Sequence, residues 1–195
     1  MASLTHLAAG AVCGAVYARV TRTEPAHAIV AYSLVALAPD LDIVAAQLGA
    51  RATPLDHRVM THALPFAVGI GAAIGAVWKD RSRRLLVGVL TAAALASHGL
   101  LDALTSGSLG PQLLWPFSTA PVGFAWRPIP GAESFQQYFL LSGVPVLRSE
   151  ALLSAPLLGL AGLILVWPTK SLNRPSAQDR WRWWPGRRTD QLESR

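Results

Sequence analysis

A histidine and an aspartate stand four residues apart within residues 97–105, which close a long apolar run. The apolar run predicts a helix, and residues four apart lie one above the other on the same helix face. His98 and Asp102 are therefore expected to be stacked, with Thr105 about one turn further along. An imidazole and a carboxylate at this spacing can hold one divalent cation between two turns. The alternative is a hydrogen bond that satisfies two half-buried polar groups.

Three other motifs place histidine or aspartate at the ends of apolar segments. They contribute His6, the pair Asp40 and Asp42, and the pair His57 and His62. We expect Asp40 and Asp42 at the carboxyl end of a helix, where they repel each other and the negative end of the helix dipole. Either a bound cation or Arg51 and Arg58 must compensate that charge. If the chain is extended after Pro39, the two carboxylates point to opposite sides. One then binds metal while the other supports a ligand, or each serves a different metal.

The histidines of the His-Arg-x-x-Thr-His motif are five residues apart and cannot share one helix face. We therefore expect His57 in a loop and His62 in the first turn of the helix that follows. Thr61 is expected to help cap that turn, and Asp56 to orient the imidazole of His57.

The segments that carry these motifs are typical of membrane-spanning helices. The chain of 195 residues is 52% hydrophobic and only 14% charged, whereas soluble domains are about 25% charged. Five segments lack Asp, Glu, Lys and Arg, namely residues 1–18, 25–39, 59–78, 85–101 and 151–169. A spanning helix needs about 20 apolar residues, and residues 25–39 are short for that. We predict an all-α, multi-pass transmembrane bundle of four or five helices. The alternative is a compact soluble all-α domain with very apolar helices.

The basic residues predict how the bundle is oriented. With five helices crossing the membrane, 13 of the 17 Lys and Arg residues fall on one side, which should be cytoplasmic. The amino terminus is then outside and the carboxyl terminus is cytoplasmic. Residues 170–195 form a basic, tryptophan-containing tail, predicted to be a membrane-surface anchor or a loosely ordered segment, and no nucleic-acid partner is expected. Residues 107–149, rich in Gly, Pro and aromatics, form the extracytoplasmic loop region.

This topology gathers four histidines and three aspartates at the extracytoplasmic face. The predicted metal ligands are His6, Asp40, Asp42, His57, His62, His98 and Asp102. Nitrogen and oxygen donors suit zinc, with manganese or iron as alternatives, better than calcium. The set is large enough for two metals, an arrangement that activates water and clamps a phosphoryl group. Arg58, Arg127 and Ser97 are candidates to orient or neutralise an anionic substrate.

The order and spacing of the motifs resemble one family, the LexA-regulated, membrane-bound predicted metal-dependent hydrolases, also called YdjM-like inner-membrane proteins. The resemblance covers roughly residues 4–117. It rests on Thr5-His6 with Gly10, Pro39-Asp40-Leu41-Asp42, His57-Arg58-x-x-Thr61-His62, Ser97-His98-x-x-x-Asp102-x-x-Thr105 and Leu114-Trp115-Pro116-Phe117. The resemblance implies a multi-pass inner-membrane protein and a metal-dependent hydrolase, without naming a substrate. Val59 departs from the pattern, which usually has Gly there, and Ile43 stands where a His can follow the second Asp.

We predict hydrolysis of a phosphoester, with a lipid-linked or membrane-delivered substrate favoured over a soluble one. Asp40, Asp42 and Arg58 are the predicted catalytic residues, one aspartate acting as a base or orienting a histidine. Residues 1–169 form the membrane-embedded, hydrolase-like domain, and residues 170–195 the cytoplasmic tail. The competing hypothesis is a non-enzymatic membrane protein with a structural or transport metal site. The cytoplasmic halves of the helices hold few polar residues besides His27 and Ser33, which argues against transport.

Overall fold

The computed structural model describes residues 3–49, 53–131 and 143–168. In these ranges five long helices and one short helix form the fold. They are α1 (Ser3–Thr21), α2 (Pro25–Leu37), α3 (Asp42–Gln47), α4 (Leu64–Val77), α5 (Arg84–Asp102) and α6 (Val144–Val166). The described residues include no β-strand, and the predicted all-α fold is confirmed. Arg51 and the predicted tail, residues 170–195, lie outside the described residues.

Among the described residues, three segments are long and apolar enough to cross a membrane. They are Pro25–Ala45, Arg81–Asp102 and Val144–Val166, while the apolar helix α4 is shorter. The last of these begins well before residue 151, where the sequence predicted the final apolar segment to start. Helix α6 therefore includes Arg148 and Glu150, which charge counting had excluded from the span. The helix accommodates Glu150 because this side chain is buried against α1.

Helix α1 packs along both α2 and α6, and α4 packs along α5. Helix α5 also contacts α1 and α2, which joins the two pairs into one bundle. Small residues permit the close contacts: a Cβ atom on Gly10 would lie 2.4 Å from the carbonyl oxygen of Tyr32. A Cβ atom on Gly71 would likewise lie 2.5 Å from the carbonyl oxygen of Gly88. Close approach through small residues is a common means of helix association in membranes.

The chain after α2 differs from both arrangements considered for it. The aspartates do not lie at the carboxyl end of α2, and the chain after Pro39 is not extended. Instead, a 3-10 turn over Ala38–Leu41 leads directly into α3. Pro39 fits the first turn of such a helix because its missing N–H needs no partner there. The turn and α3 hold Asp40 and Asp42 on two adjoining helical elements.

The two histidines of the His-Arg-x-x-Thr-His motif precede α4. His57 lies in a loop, as predicted, and His62 ends a 3-10 turn over Met60–His62. The prediction placed His62 in the first turn of the helix, whereas α4 begins only at Leu64. Pro65 explains this start, since proline favours the first turn of a helix and restricts the residue before it.

Residues 103–131 form an irregular region, called here the covering loop, that covers the end of the bundle where the motifs lie. Its backbone is tied to the loop before α4, because Gln112 N donates to Arg58 O at 2.9 Å and Leu64 N donates to Leu113 O at 2.9 Å. It is also tied to itself through Ser106 N and Ile129 O, 2.8 Å apart. These bonds hold the loop of Arg58 against the end of α5.

Candidate metal centre

Four separate parts of the chain bring polar side chains to one end of the bundle. His6 comes from the second turn of α1, Asp40 from the turn after α2, His62 from the turn before α4, and His98 and Asp102 from α5. The three imidazoles and the Asp102 carboxylate are buried, and Asp40 is 18% exposed. The stacking predicted for residues four apart on α5 thus contributes two members of a larger cluster.

The five side chains, called here the inner cluster, lie within a few ångströms of one another. Asp40 Oδ1 lies 3.3 Å from His98 Nε2 and 3.8 Å from His62 Nε2. Asp102 lies 3.5 Å from His6 Nε2 through Oδ1 and 3.5 Å from His62 Nε2 through Oδ2. Two groups of three donors, each with its ligand atoms within 4.8 Å of one another, share His98 and could hold a metal ion.

The tautomer of His98 shows which atoms of the inner cluster are free to bind. His98 Nδ1 lies 2.7 Å from the carbonyl oxygen of Ala36, which can only accept, so Nδ1 carries the proton. When the imidazole is neutral, Nε2 holds a lone pair and faces Asp40 Oδ1. Two electron-rich atoms 3.3 Å apart repel each other unless a cation or a proton lies between them.

The other imidazoles of the inner cluster also present unbonded nitrogens. Among the described residues, the buried ring nitrogens without a hydrogen-bond partner are His6 Nδ1, His6 Nε2, His62 Nε2 and His98 Nε2. Buried polar atoms are normally hydrogen-bonded, because an unmet partner costs about 1–3 kcal/mol. Three imidazole Nε2 atoms and two carboxylates therefore form a donor set of the kind that zinc, manganese or iron accepts.

Asp42 lies behind the inner cluster and supports it. Its Oδ1 is 2.7 Å from His57 Nδ1, and its Oδ2 accepts from Thr61 Oγ1 at 2.5 Å and from the backbone N–H of Arg58 at 3.3 Å. Oδ2 also lies 3.2 Å from His62 Nδ1, so the carboxylate holds the imidazole with Nε2 toward the inner cluster. A carboxylate behind a histidine in this way fixes the ring of a metal ligand.

The pKa of His62, which precedes α4, reflects this negative environment. Burial lowers the pKa, but the nearby carboxylates of Asp102 and Asp42 outweigh burial and raise it to about 9. An environment that favours a proton on an imidazole also favours a metal cation beside it.

Arg58 lies at the edge of the site. Its Nε is 3.0 Å from Asp102 Oδ2, and its Nη1 donates to the hydroxyl of Ser108 in the covering loop. Its backbone adopts φ of 69°, in the left-handed region that most residues avoid. In this conformation the backbone N–H of Arg58 donates to Asp42. Arg58 therefore contacts Asp42 through its backbone and Asp102 through its side chain.

Several polar residues singled out in the sequence have other roles. Arg127 donates to the carbonyl oxygens of Ser108 and Phe124, within the covering loop. Ser97 Oγ donates to Ala94 O of its own helix at 2.7 Å. Thr61 donates to Asp42 and does not cap α4, whose N-cap residue is Ala63 and which has no side-chain cap. Asp56 accepts from the backbone N–H of His57, whose imidazole contacts Asp42.

Two residues that bear on the site carried no signal in the motif analysis. A Cβ atom on Gly99 would lie 2.2 Å from the carbonyl oxygen of His62, so only glycine lets α5 approach this turn. Gly99 follows His98 directly, and a glycine inside a predicted metal-ligand motif is the sequence feature that indicates a close backbone approach there. Glu150 contacts the first turn of α1 from a helix far along the chain, which spacing alone could not reveal.

Comparison with known proteins gives a family for this fold and site. Inner membrane protein YbcI of Escherichia coli (strain K12) is 30% identical over 135 residues, which cover 67% of this chain and 78% of that protein. No solved structure matches the chain. Residues 1–174 match the YdjM inner membrane protein family, and all of the described site lies within them. The resemblance seen in the motifs is confirmed: this chain belongs to the YdjM family of inner membrane proteins.

Proposed function

We propose that this protein is a membrane-bound, metal-dependent hydrolase with one divalent cation in the inner cluster. The observation that carries the proposal is the contact between His98 Nε2 and Asp40 Oδ1, which lie 3.3 Å apart and repel each other unless a cation or a proton lies between them. A cation coordinated by both removes their repulsion. The proposed ligands are His6, Asp40, His62, His98 and Asp102.

The arrangement favours one cation over the two that seven predicted ligands suggested. Asp42, His57 and His62 also lie close enough to hold a metal. However, Asp42 already accepts from Thr61, and its Oδ1 lies at hydrogen-bonding distance from His57 Nδ1. A second cation would have to displace those bonds, so we assign Asp42 to orienting His62 and His57 to holding Asp42. Zinc suits the nitrogen-rich set, with manganese and iron as alternatives.

A divalent cation at this site supplies Lewis-acid polarisation of a phosphoryl oxygen and activation of water. The chain's own residues provide the remaining functions. Arg58 holds a positive charge at the edge of the inner cluster, where it can bind an anionic phosphoryl group. Asp40 is the most exposed member of the inner cluster and is placed to accept a proton from an entering nucleophile.

The surroundings of the site favour a lipid-borne phosphoester as substrate. The inner cluster lies at the ends of two segments that are apolar enough to span the membrane, so a bound headgroup would meet it at the membrane surface. Large apolar side chains are exposed on the segments that adjoin it. They are Leu41, Val44 and Leu48, from the turn before α3 to the residue after it, and Leu109, Phe117 and Trp126 in the covering loop. Such side chains are suited to the membrane interface.

We assign this face to the extracytoplasmic side. Arg19, near the carboxyl end of α1, donates to the carbonyl oxygen of Trp167 just after α6, at the end of the bundle away from His6. Most basic residues of the chain are predicted on that side, and the positive-inside rule makes it cytoplasmic. Reporter fusions near Gly110 should read periplasmic, and fusions after Arg84 should read cytoplasmic.

The test is metal content and hydrolysis measured on the purified protein. We expect about one equivalent of metal in the wild type and turnover of a phospholipid, a lipid pyrophosphate or a chromogenic phosphodiester. A chelator and Asp102→Ala should each abolish turnover, while circular dichroism shows retained helix content. Hydrolysis that survives both treatments would overturn the mechanism. Metal uptake into proteoliposomes without hydrolysis of any ester would favour a transport site instead.

A further inference from the structure

Glu150 is a buried carboxylate on α6 that has no part in the inner cluster. Most of α6 is exposed in the isolated chain and faces lipid in a membrane, yet Glu150 is fully buried. A carboxylate inside a spanning helix is expensive unless hydrogen bonds satisfy it, and such residues are commonly functional. Its position therefore calls for a reason beyond helix packing.

Three hydrogen bonds link this part of α6 to two residues at the start of α1. Glu150 Oε2 accepts from the backbone N–H of Leu4 at 2.9 Å. The hydroxyl of Thr5 donates to the backbone oxygen of Glu150 at 3.5 Å, and Ser154 Oγ donates to Thr5 Oγ1 at 3.4 Å. Glu150 and Ser154 are one helical turn apart, so they hold the amino-terminal turn of α1 from one face of α6.

The bond to Leu4 is one that helix α1 cannot supply for itself. Leu4 is the second residue of the helix, and the first N–H groups of a helix lack partners within it. A negative charge is also favourable at this end of the helix dipole. His6 follows two residues later, with Nε2 3.5 Å from Asp102 and its ring centroid 3.8 Å from that of His98. The geometry of this turn therefore sets where the His6 imidazole points.

We propose that Glu150 is a positioning residue for the metal centre: by holding the amino-terminal turn of α1, it directs His6 Nε2 into the inner cluster. The inference rests on the proposed metal site and adds to it a residue from α6. It also explains why α6, which packs chiefly along α1, belongs to the functional unit. Loss of the carboxylate frees this turn and weakens the ligand that follows it.

The experiment is a double-mutant cycle on zinc affinity, using the full-length protein in detergent. Residues that support a metal ligand typically contribute about 10- to 100-fold to affinity, and we expect E150L to weaken zinc binding by that factor. H6A should weaken it at least as much, and E150L combined with H6A should bind like H6A alone, because both remove the same ligand. E150Q retains an acceptor for Leu4 and should lose less than E150L. R148Q, on the exposed face of the same helix, is the matched control and should bind like wild type.

A second measurement reads the position of the turn without metal. Hydrogen exchange of the backbone amides of Leu4, Thr5 and His6 should be faster in E150L than in wild type and unchanged in R148Q. If the wild type binds no zinc, the proposed function fails. The difference in hydrogen exchange between E150L and wild type then shows whether Glu150 holds the turn. Unchanged exchange in E150L would overturn the inference, as would additive effects of E150L and H6A on affinity. If E150L does not fold, E150Q and S154A carry the same comparison with smaller effects.

Discussion

Two pairs of histidine and carboxylate lie at opposite ends of the bundle and differ in almost everything but composition. At one end, His27 and Glu24 are 3.2 Å apart with side chains 91% and 59% exposed. At the other end, His98 and Asp40 are 3.3 Å apart, with the histidine fully buried. Glu24 caps the first turn of α2 by accepting from the backbone N–H of His27, so its role is explained locally. The second pair is embedded among two further histidines and a second aspartate, where water screens it much less.

The comparison shows why burial, more than proximity, marks the candidate centre. An exposed ion pair is screened by water and contributes about 0–1 kcal/mol at most. Buried charges cost several kcal/mol each unless partners compensate them. The chain has gathered the buried carboxylate of Asp102 and the largely buried carboxylate of Asp40 around Nε2 atoms that have no hydrogen-bond partner among the described residues. A bound cation is the compensation that this set of donors is suited to receive.

The largest expected effect separates the two histidines directly. H98A should abolish stoichiometric zinc binding, because it removes a metal ligand. Its zinc affinity should fall by more than the roughly 10- to 100-fold that a supporting residue contributes. H27A should leave zinc content at the wild-type level. Both are measured by elemental analysis of purified protein after dialysis. Equal metal content in H98A and wild type would place any bound metal outside the inner cluster.

A smaller effect is expected from the carboxylate behind the cluster. D42A should weaken zinc binding by about 10- to 100-fold, because His62 loses the group that orients it. D42N, which keeps one oxygen, replaces the other with an amide nitrogen and removes the charge, should fall between D42A and wild type. D80A, at an exposed aspartate beyond α4, is the control and should have no effect. Affinity is measured by competition with a chromogenic chelator, and complete loss in D42A would instead indicate that Asp42 binds metal directly.

Gly99 tests how closely α5 must approach the turn of His62. G99A should weaken zinc binding about tenfold, at the lower end of the range for supporting residues, because His62 has to move away from the new Cβ atom. G69A is the matched control, since no atom lies within 4 Å of a Cβ atom placed there. The same competition assay applies. Equal affinities in the two variants would show that the turn can shift without disturbing the imidazole.

The smallest effect is expected at the exposed pair. H27A should change the free energy of unfolding by no more than about 0.5 kcal/mol, as is usual for an exposed side chain. E24A should cost more, up to about 1 kcal/mol, because it also removes the cap of α2. Thermal unfolding in detergent measures both. A larger loss in H27A would mean that this end of the bundle contains an interaction stronger than its exposure suggests.

Helical periodicity and the length of the apolar segments were sufficient to predict part of the site from the sequence. The spacing of His98 and Asp102 on a predicted helix correctly stacked both side chains, because helix geometry is local and regular. The proline and loop residues around Asp40 and His57 were less predictable. Their 3-10 turns depend on contacts with other elements, such as the bonds that Asp42 makes to Thr61 and Arg58. The conformational preferences of the residues in these segments did not by themselves distinguish a 3-10 turn from an extended chain.

By itself, the sequence determined the helices, their apolar character and the residue types that could bind a cation. These follow from short-range rules of hydropathy, helical spacing and donor chemistry. Only the tertiary structure decided that Asp40 enters the inner cluster while Asp42 stands behind it, although both belong to one motif. It also decided that Glu150, 146 residues from Leu4, holds the turn before His6. The reason is that the role of each carboxylate depends on which helix packs against it, and close packing of α1, α5 and α6 is not encoded in any single segment.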